Sequence, residues 1–255
     1  MRALFGYVWT DTLRSQRWVA PVLTFGAAVA IVSAQAGSVL PTYAISAAVL
    51  LFIATWMSIV VVNNEDPIQR SITTVCAASP FKGRLSKLLV AFCIASVLET
   101  VGMIGPPLAS TSGVTGIELL VGAAAQLLTA LTGTALGALC SRPLISRRAW
   151  SVLIGTAVCL VTVIVPHCPP TRQILVLFNE TGSVALGLPV LLITVETLVL
   201  SGIAVAASLR LAQRMSSESF KSTIGVQLST RPNVPFRCRG AIAPDDSGAP
   251  LTLTH

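Results

Sequence analysis

Six apolar runs constrain this chain more than any other feature: residues 18–34, 43–62, 88–108, 117–140, 149–166 and 184–207. A helix needs about 20 apolar residues to cross the hydrocarbon of a bilayer, and inside it the backbone must satisfy its own hydrogen bonds. The runs therefore predict an all-α membrane protein with six transmembrane helices. Composition agrees: the 255 residues are 53% hydrophobic and 11% charged, where a soluble domain has about 25% charged. Mean hydropathy is +0.80. Most of the length lies in the runs, which leaves no room for a separate soluble enzyme domain. The net charge of +7 comes from basic residues set between runs. A nucleic-acid binder would gather them on one folded face, so the lipid bilayer, not nucleic acid, is the partner they imply.

Taken in order, residues 1–17 mix Leu4, Phe5, Val8 and Trp9 with Arg2, Asp11, Arg14 and Arg17. That pattern predicts an amphipathic helix in the headgroup region before the first span. The first run also loosely meets the pattern of a signal peptide cut near Ser33-Ala34-Gln35-Ala36, although the leader is long and carries Asp11. The third run ends in Gly105-Pro106-Pro107. The fourth contains Gly133-Thr-Ala-Leu-Gly137, a GxxxG spacing that lets two helix backbones approach closely, though glycine-rich spans often carry it without a dimer seam. Between the fifth and sixth runs, residues 167–183 hold an apolar core, Ile174 to Phe178, too short to span. A re-entrant or interfacial segment fits it, with a surface loop as the alternative. Beyond the transmembrane domain (18–214), residues 215–255 are rich in Ser, Thr, Pro and Gly, which predicts a disordered tail.

The longest polar interruption is 63–87, NNEDPIQRSITTVCAASPFKGRLSK. Asp66 before Pro67 reads as a helix start, since a carboxylate caps free N–H groups and proline suits the first helical position. Ile68, Ile72 and Val75 recur at helical spacing, with Gln69, Arg70 and Thr73 on other faces. A second start follows at Ser79-Pro80, after which Lys82, Arg84 and Lys87 lead into the third run. A short amphipathic helix held beneath a bundle suits docking on a cytoplasmic partner; a solvated or lipid-facing loop is the plainer reading.

Basic residues predict the orientation. The N-terminus holds 3 Lys/Arg, loop 63–87 holds 4, loop 141–148 holds 3 and the region after the sixth run holds 6, while the alternate loops hold 0, 0 and 1. By the positive-inside rule both termini are cytoplasmic.

No catalytic constellation emerges. The chain has no GxSxG, HExxH or GxxxxGK[ST], so no P-loop of its own would bind ATP. The six cysteines (Cys76, Cys93, Cys140, Cys159, Cys168 and Cys238) show no CxxC or metal spacing, and His167 beside Cys168 supplies too few ligands. Two acids lie inside runs. Glu99 is twelve residues past Lys87, about 18 Å along a helix, and Glu196 is fourteen before Arg210. Inserting such a group costs about 3 kcal/mol, so each should face the bundle or a wet cavity. Each has two readings: a pathway contact or proton relay, or a protonated carboxyl that supports packing.

The arrangement resembles the membrane subunit of ABC-2-type exporters. The likeness covers roughly residues 1–214: the amphipathic N-terminal segment, six spans, the helical loop after span two and the half-membrane segment at 167–183. The stretch Trp56-Met-Ser-Ile-Val-Val-Val-Asn-Asn-Glu-Asp-Pro67 looks most like the actinobacterial branch. The resemblance implies a permease in a bacterial plasma membrane, coupled to a separate ATP-binding cassette ATPase that carries ATP and Mg. This chain itself would bind no cofactor. It also implies a coupling helix, carried onto Asp66 to Ala77 with Asp66, Pro67, Ile68, Arg70, Ile72 and Val75 as its contact residues. A second copy or homologous membrane subunit would complete the pathway; Glu99 and Glu196 inherit nothing from the family. Two other functions fit the runs: an ion-coupled transporter using the intramembrane glutamates, for which no inverted repeat is visible, and a non-transporting scaffold subunit.

The topology is testable with single cysteines or reporter fusions. Positions in 35–42, 109–116 and 167–183 should label from outside the cell and the C-terminus from inside; an external C-terminus overturns the orientation.

Overall fold

Every regular element among the described residues is an α-helix. The computed structural model describes residues 2–34, 39–65, 69, 79–109, 115–142, 148–165 and 188–229. The helices are α1 (Arg2–Arg14), α2 (Val19–Ala34), α3 (Val39–Val62), α4 (Pro80–Ala109), α5 (Gly116–Cys140), α6 (Arg148–Ile164) and α7 (Leu188–Ser229). Within them Pro41–Val62, Phe81–Leu108, Gly116–Cys140 and Leu191–Leu211 are long and apolar enough to cross a membrane. α1 and α2 form a pair bent by 74°, which makes a fifth if counted as one span. α6 is apolar but shorter: its 17 residues rise about 25 Å, short of the roughly 30 Å of hydrocarbon. The chain divides into two compact units, Met1–Ser217 and Glu218–His255.

The bend between α1 and α2 has a local cause. Gln16 takes φ 53°, a left-handed conformation that interrupts the helix, and the Trp18 indole N–H donates to the Leu13 carbonyl at 3.0 Å, closing the end of α1. Val8 and Thr12 are buried, and Phe5 stacks on Trp9 with ring centroids 6.1 Å apart. The apolar face of α1 thus joins a core formed by Phe25 and Val29 of α2, Leu50, Ile53, Ala54, Met57 and Val61 of α3, and Val90, Ala91, Ala95 and Leu98 of α4.

α3 is the hub, packing on α2, α4, α5 and α6, and most extensively on α5. The seam with α5 runs along Gly133 and Gly137. A Cβ at Gly133 would lie 2.7 Å from the Ala54 Cβ, and one at Gly137 would lie 2.5 Å from the Ser58 Cβ and 2.6 Å from the Thr55 carbonyl oxygen. Only glycine allows this approach. The closeness lets side chains reach across to backbone: Thr55 Oγ1 donates to the Gly133 carbonyl at 3.0 Å and Ser58 Oγ to the Thr134 carbonyl at 3.1 Å. Cys159 of α6 joins the same row, its thiol 3.2 Å from Thr55 Oγ1.

The expected third run, 88–108, holds two prolines near its end, and the structure keeps them helical. Pro106 and Pro107 lie inside α4, which continues to Ala109. A proline removes the N–H that would bond the carbonyl four residues back, so Pro107 leaves the Met103 carbonyl without that donor. Tyr43 Oη supplies a replacement at 3.1 Å, and the helix continues past the prolines. α7 also continues to Ser229, beyond the tail expected to begin at 215. No proline falls between Ser216 and Ser229 to stop it; the next is Pro232. Residues 230–255 and the segment 167–183 lie outside the described residues.

The seam makes a direct prediction. Gly133→Ala and Gly137→Ala should each destabilise the bundle by about 1–3 kcal/mol through overpacking. Gly26→Ala, where an added methyl meets nothing within 4 Å, should be neutral or mildly stabilising. Thermal unfolding in detergent reads the difference, and equal melting of all three variants would remove the seam's special status.

Candidate functional site

Polar side chains gather at the end of the bundle where α3 stops and α4 starts. α3 ends in Val60-Val61-Val62, and the chain then offers Asn63, Asn64 and Glu65 in succession. On α4, Arg84 and Lys87 are three residues apart and share one helix face, which is turned inward; Lys82 lies on another face and is exposed. Lys87 Nζ donates to Glu65 Oε2 at 2.7 Å, with side-chain exposures of only 8% and 4%. An ion pair so enclosed holds together because neither charge has water to fall back on.

Around this pair the other elements converge. Arg84 reaches α5, donating through Nη2 to the Ala138 carbonyl at 2.8 Å and the Ser141 hydroxyl at 3.3 Å, and through Nη1 to the Arg142 carbonyl. The Ala138 carbonyl belongs to the last turn of α5 and the Arg142 carbonyl lies just beyond it, where a helix end leaves its acceptors unpaired and carries partial negative charge, so a guanidinium is well matched there. The Arg142 N–H donates back to Asn63 Oδ1 at 3.3 Å. Asn64 Nδ2 donates to Asp11 Oδ2 of α1 at 2.7 Å, and Arg17 donates to Asn64 Oδ1 at 3.4 Å. Gln69 donates to the Tyr7 hydroxyl at 2.6 Å, a further tie to α1. A cavity of about 160 Å³ opens beside the cluster, lined by Arg17, Ile59, Val60, Asn63 and Val152. The result is a polar clamp that joins α1, α3, α4 and α5 at one end. It ties Glu65, which precedes residues 66–78, to Lys87 on the helix that follows them.

The residues expected to dock on a partner, Asp66, Pro67, Ile68, Arg70, Ile72 and Val75, lie outside the described residues, between Glu65 and Lys87. The two intramembrane acids have different surroundings. Glu99 is buried on α4, one turn before Gly102 and Met103, the residues that meet Gln126 and Tyr43. Gln126 is fully buried on α5, and its amide donates to Ser46 Oγ of α3 at 3.1 Å. Glu196 is exposed on α7, and no hydrogen bond or ion pair joins it to Glu99 among the described residues. Gly133 and Gly137 sit at the α3–α5 seam and not on an outer face. Glu118 forms a capping box with Thr115 at the start of α5, accepting from the Thr115 N–H at 3.0 Å.

Sequence reasoning noted Lys82, Arg84 and Lys87 as a basic lead-in and missed the clamp. The spacing of Arg84 and Lys87 is compatible with an inward pair, but nothing in one sequence says that Glu65 faces it. Among the described residues no group of three or more His, Cys, Asp or Glu side chains comes together to hold a metal ion. Comparison with known proteins finds no family model, no characterised relative and no solved structure that matches the chain.

The Glu65–Lys87 pair can be tested by stability. Glu65→Ala strands a buried ammonium and should cost about 3–5 kcal/mol, whereas Glu65→Leu combined with Lys87→Met should recover most of the loss. Chemical denaturation in detergent measures both. A double variant as unstable as the single would show that the pair's charges are not what the clamp depends on.

Proposed function

We propose that this chain is the membrane subunit of an ATP-driven, ABC-2-type exporter. In this reading it has six spans with both termini cytoplasmic in a bacterial plasma membrane. It couples to a separate ATPase through residues 66–77. The observation that carries the reading is the clamp: Glu65 before that stretch is bound to Lys87 after it, and the same cluster grips α1 and the end of α5. A docking segment is useful to a transporter only if a push on it moves several helices at once. A loop whose two ends are fixed to one another and to four helices meets that requirement; a slack interhelical loop does not.

In the same reading α2 and α6, short as straight spans, cross with help from bilayer thinning or from the helices around them. ATP and Mg reside on the partner ATPase. A second membrane subunit, identical or homologous, covers the exposed face of α7, which carries Glu196 among Leu192, Val195 and Val199. An acid on a lipid-facing surface costs about 3 kcal/mol, and a facing subunit removes that cost. Glu99, enclosed by the bundle, is the acid placed to contact a pathway between α4 and α5 or to stiffen their packing.

The test is association. Ile72→Glu places a charge on the expected apolar side of the docking segment and leaves the residues of the clamp and the spans unchanged. It should abolish copurification with the ATPase and substrate-stimulated ATP hydrolysis, while membrane insertion and melting stay at wild-type values. Unchanged association and transport would leave 66–77 an ordinary loop and remove the support for an ATP-driven exporter.

A further inference from the structure

α7 packs on the bundle along one face, where Thr197, Ser201 and Ser208 are buried, and leaves a groove beside it. Toward one end, Ile193 packs on Ala44 of α3 and on Val121, Ala125 and Leu128 of α5. Toward the other, Val205 and Leu209 pack with Val62, Phe81, Leu88 and Ala138. Along this helix, and bounded opposite by Phe81 and Leu131, runs a groove of about 520 Å³, within the range of small-molecule sites. Its wall on α7 is Leu198, Ser201, Gly202, Val205, Ala206 and Leu209, apolar apart from Ser201; Arg210 and Gln213 close one end.

We propose that this groove holds an anionic phospholipid of the inner leaflet, with an acyl chain along the apolar wall and the headgroup phosphate at Arg210. Three observations select that occupant. First, the polarity is graded in one direction, from Leu198 and Leu131 to a guanidinium and an amide, which is the gradient of a lipid. Second, the length fits: Leu198 to Gln213 is fifteen residues, about 22 Å of helix, and one leaflet with its headgroups is about 20 Å thick. Third, the charge is placed correctly. Arg210 is exposed, and the basic-residue asymmetry of the sequence puts it at the inner headgroup level, where anionic lipids collect and basic pockets between helices bind them. A soluble anion would use Arg210 alone and leave the apolar length unexplained. The groove opens sideways, so the rest of the lipid stays within the bilayer. The assignment stands whether or not the chain couples to an ATPase.

Native mass spectrometry of the full chain in mild detergent, titrated with phosphatidylglycerol or with phosphatidylcholine, tests it. One phosphatidylglycerol should be retained in preference to phosphatidylcholine. A Cβ added at Gly202 meets nothing within 4 Å, so Gly202→Leu should fold normally and project its side chain into the groove, lowering phosphatidylglycerol retention at least tenfold. Arg210→Gln should lower it about fivefold and leave phosphatidylcholine unaffected. Circular dichroism and melting confirm that each variant is folded; Ala206→Phe is the second filling variant should Gly202→Leu prove unstable. Equal retention of the two lipids, or undiminished phosphatidylglycerol on a folded groove-filling variant, overturns the proposal. So does a dimer that Gly202→Leu dissociates without changing lipid retention, because the groove would then belong to a second copy.

Discussion

The close approach of α3 and α5 is the contact on which the rest of the bundle depends. Lipid tails are as apolar as leucine, so burying more leucine does little to hold two helices together in a membrane. What remains is tight packing and hydrogen bonding, and the seam provides both. Gly133 and Gly137 remove the side chains that would keep the backbones apart, and Thr55 and Ser58 use the gap to donate to carbonyls of the opposite helix. Neither half works alone. Without the glycines the hydroxyls do not reach, and without the hydroxyls the bare backbones gain only dispersion.

Once α3 and α5 are joined, α4 is held against both, and its irregular end follows from them. Tyr43 of α3 donates to the carbonyl that Pro107 leaves without its helical partner, and Gln126 of α5 bonds Ser46 of α3 beside Gly102 of α4. α4 therefore keeps its helix through two prolines because a neighbouring helix completes its backbone bonding, as proline-bearing membrane helices generally require. α7 meets the bundle through Ile193, Val205 and Leu209 and lines a groove, so most of its outer apolar surface must be covered by lipid or by another chain.

Local and one-dimensional signals were the legible part of this fold. Apolar length located α3 and α5 to within four residues and fell on the longer α4 and α7 without marking their outer ends, because a bilayer imposes its length only on the part inside it. The division between an N-terminal helix and the first run showed in the change of composition at 17–18, and the small-residue spacing at Gly133 and Gly137 marked where a helix could come close. Pairing was not legible. Glu65 and Lys87 are 22 positions apart and Arg84 bonds carbonyls 54 and 58 positions away, so their partners depend on how helices are stacked. What keeps α4 helical through Pro107 was hidden for the same reason: the compensating hydroxyl is on Tyr43, 60 positions from the carbonyl it serves. Nor does an acid inside an apolar run reveal its surroundings. Glu99 and Glu196 look alike in sequence, and the structure buries one and exposes the other.

The clamp raises the question of why a membrane bundle would keep a buried ion pair at all. Stability is a weak answer, since apolar residues of similar size commonly replace such pairs without loss. Geometry is a better one. Packed leucines tolerate a small slide of one helix along another, whereas the attraction between Lys87 and Glu65 falls away as soon as they separate and leaves each charge in a medium that does not solvate it. Arg84 adds the same condition toward α5, because its donors must meet the Ala138 and Arg142 carbonyls together. The pair and the guanidinium thus penalise relative movement of α3, α4 and α5 at this end, while α7 is free of any comparable restraint among the described residues. A bundle built this way moves as one body at the clamped end and deforms most easily along α7.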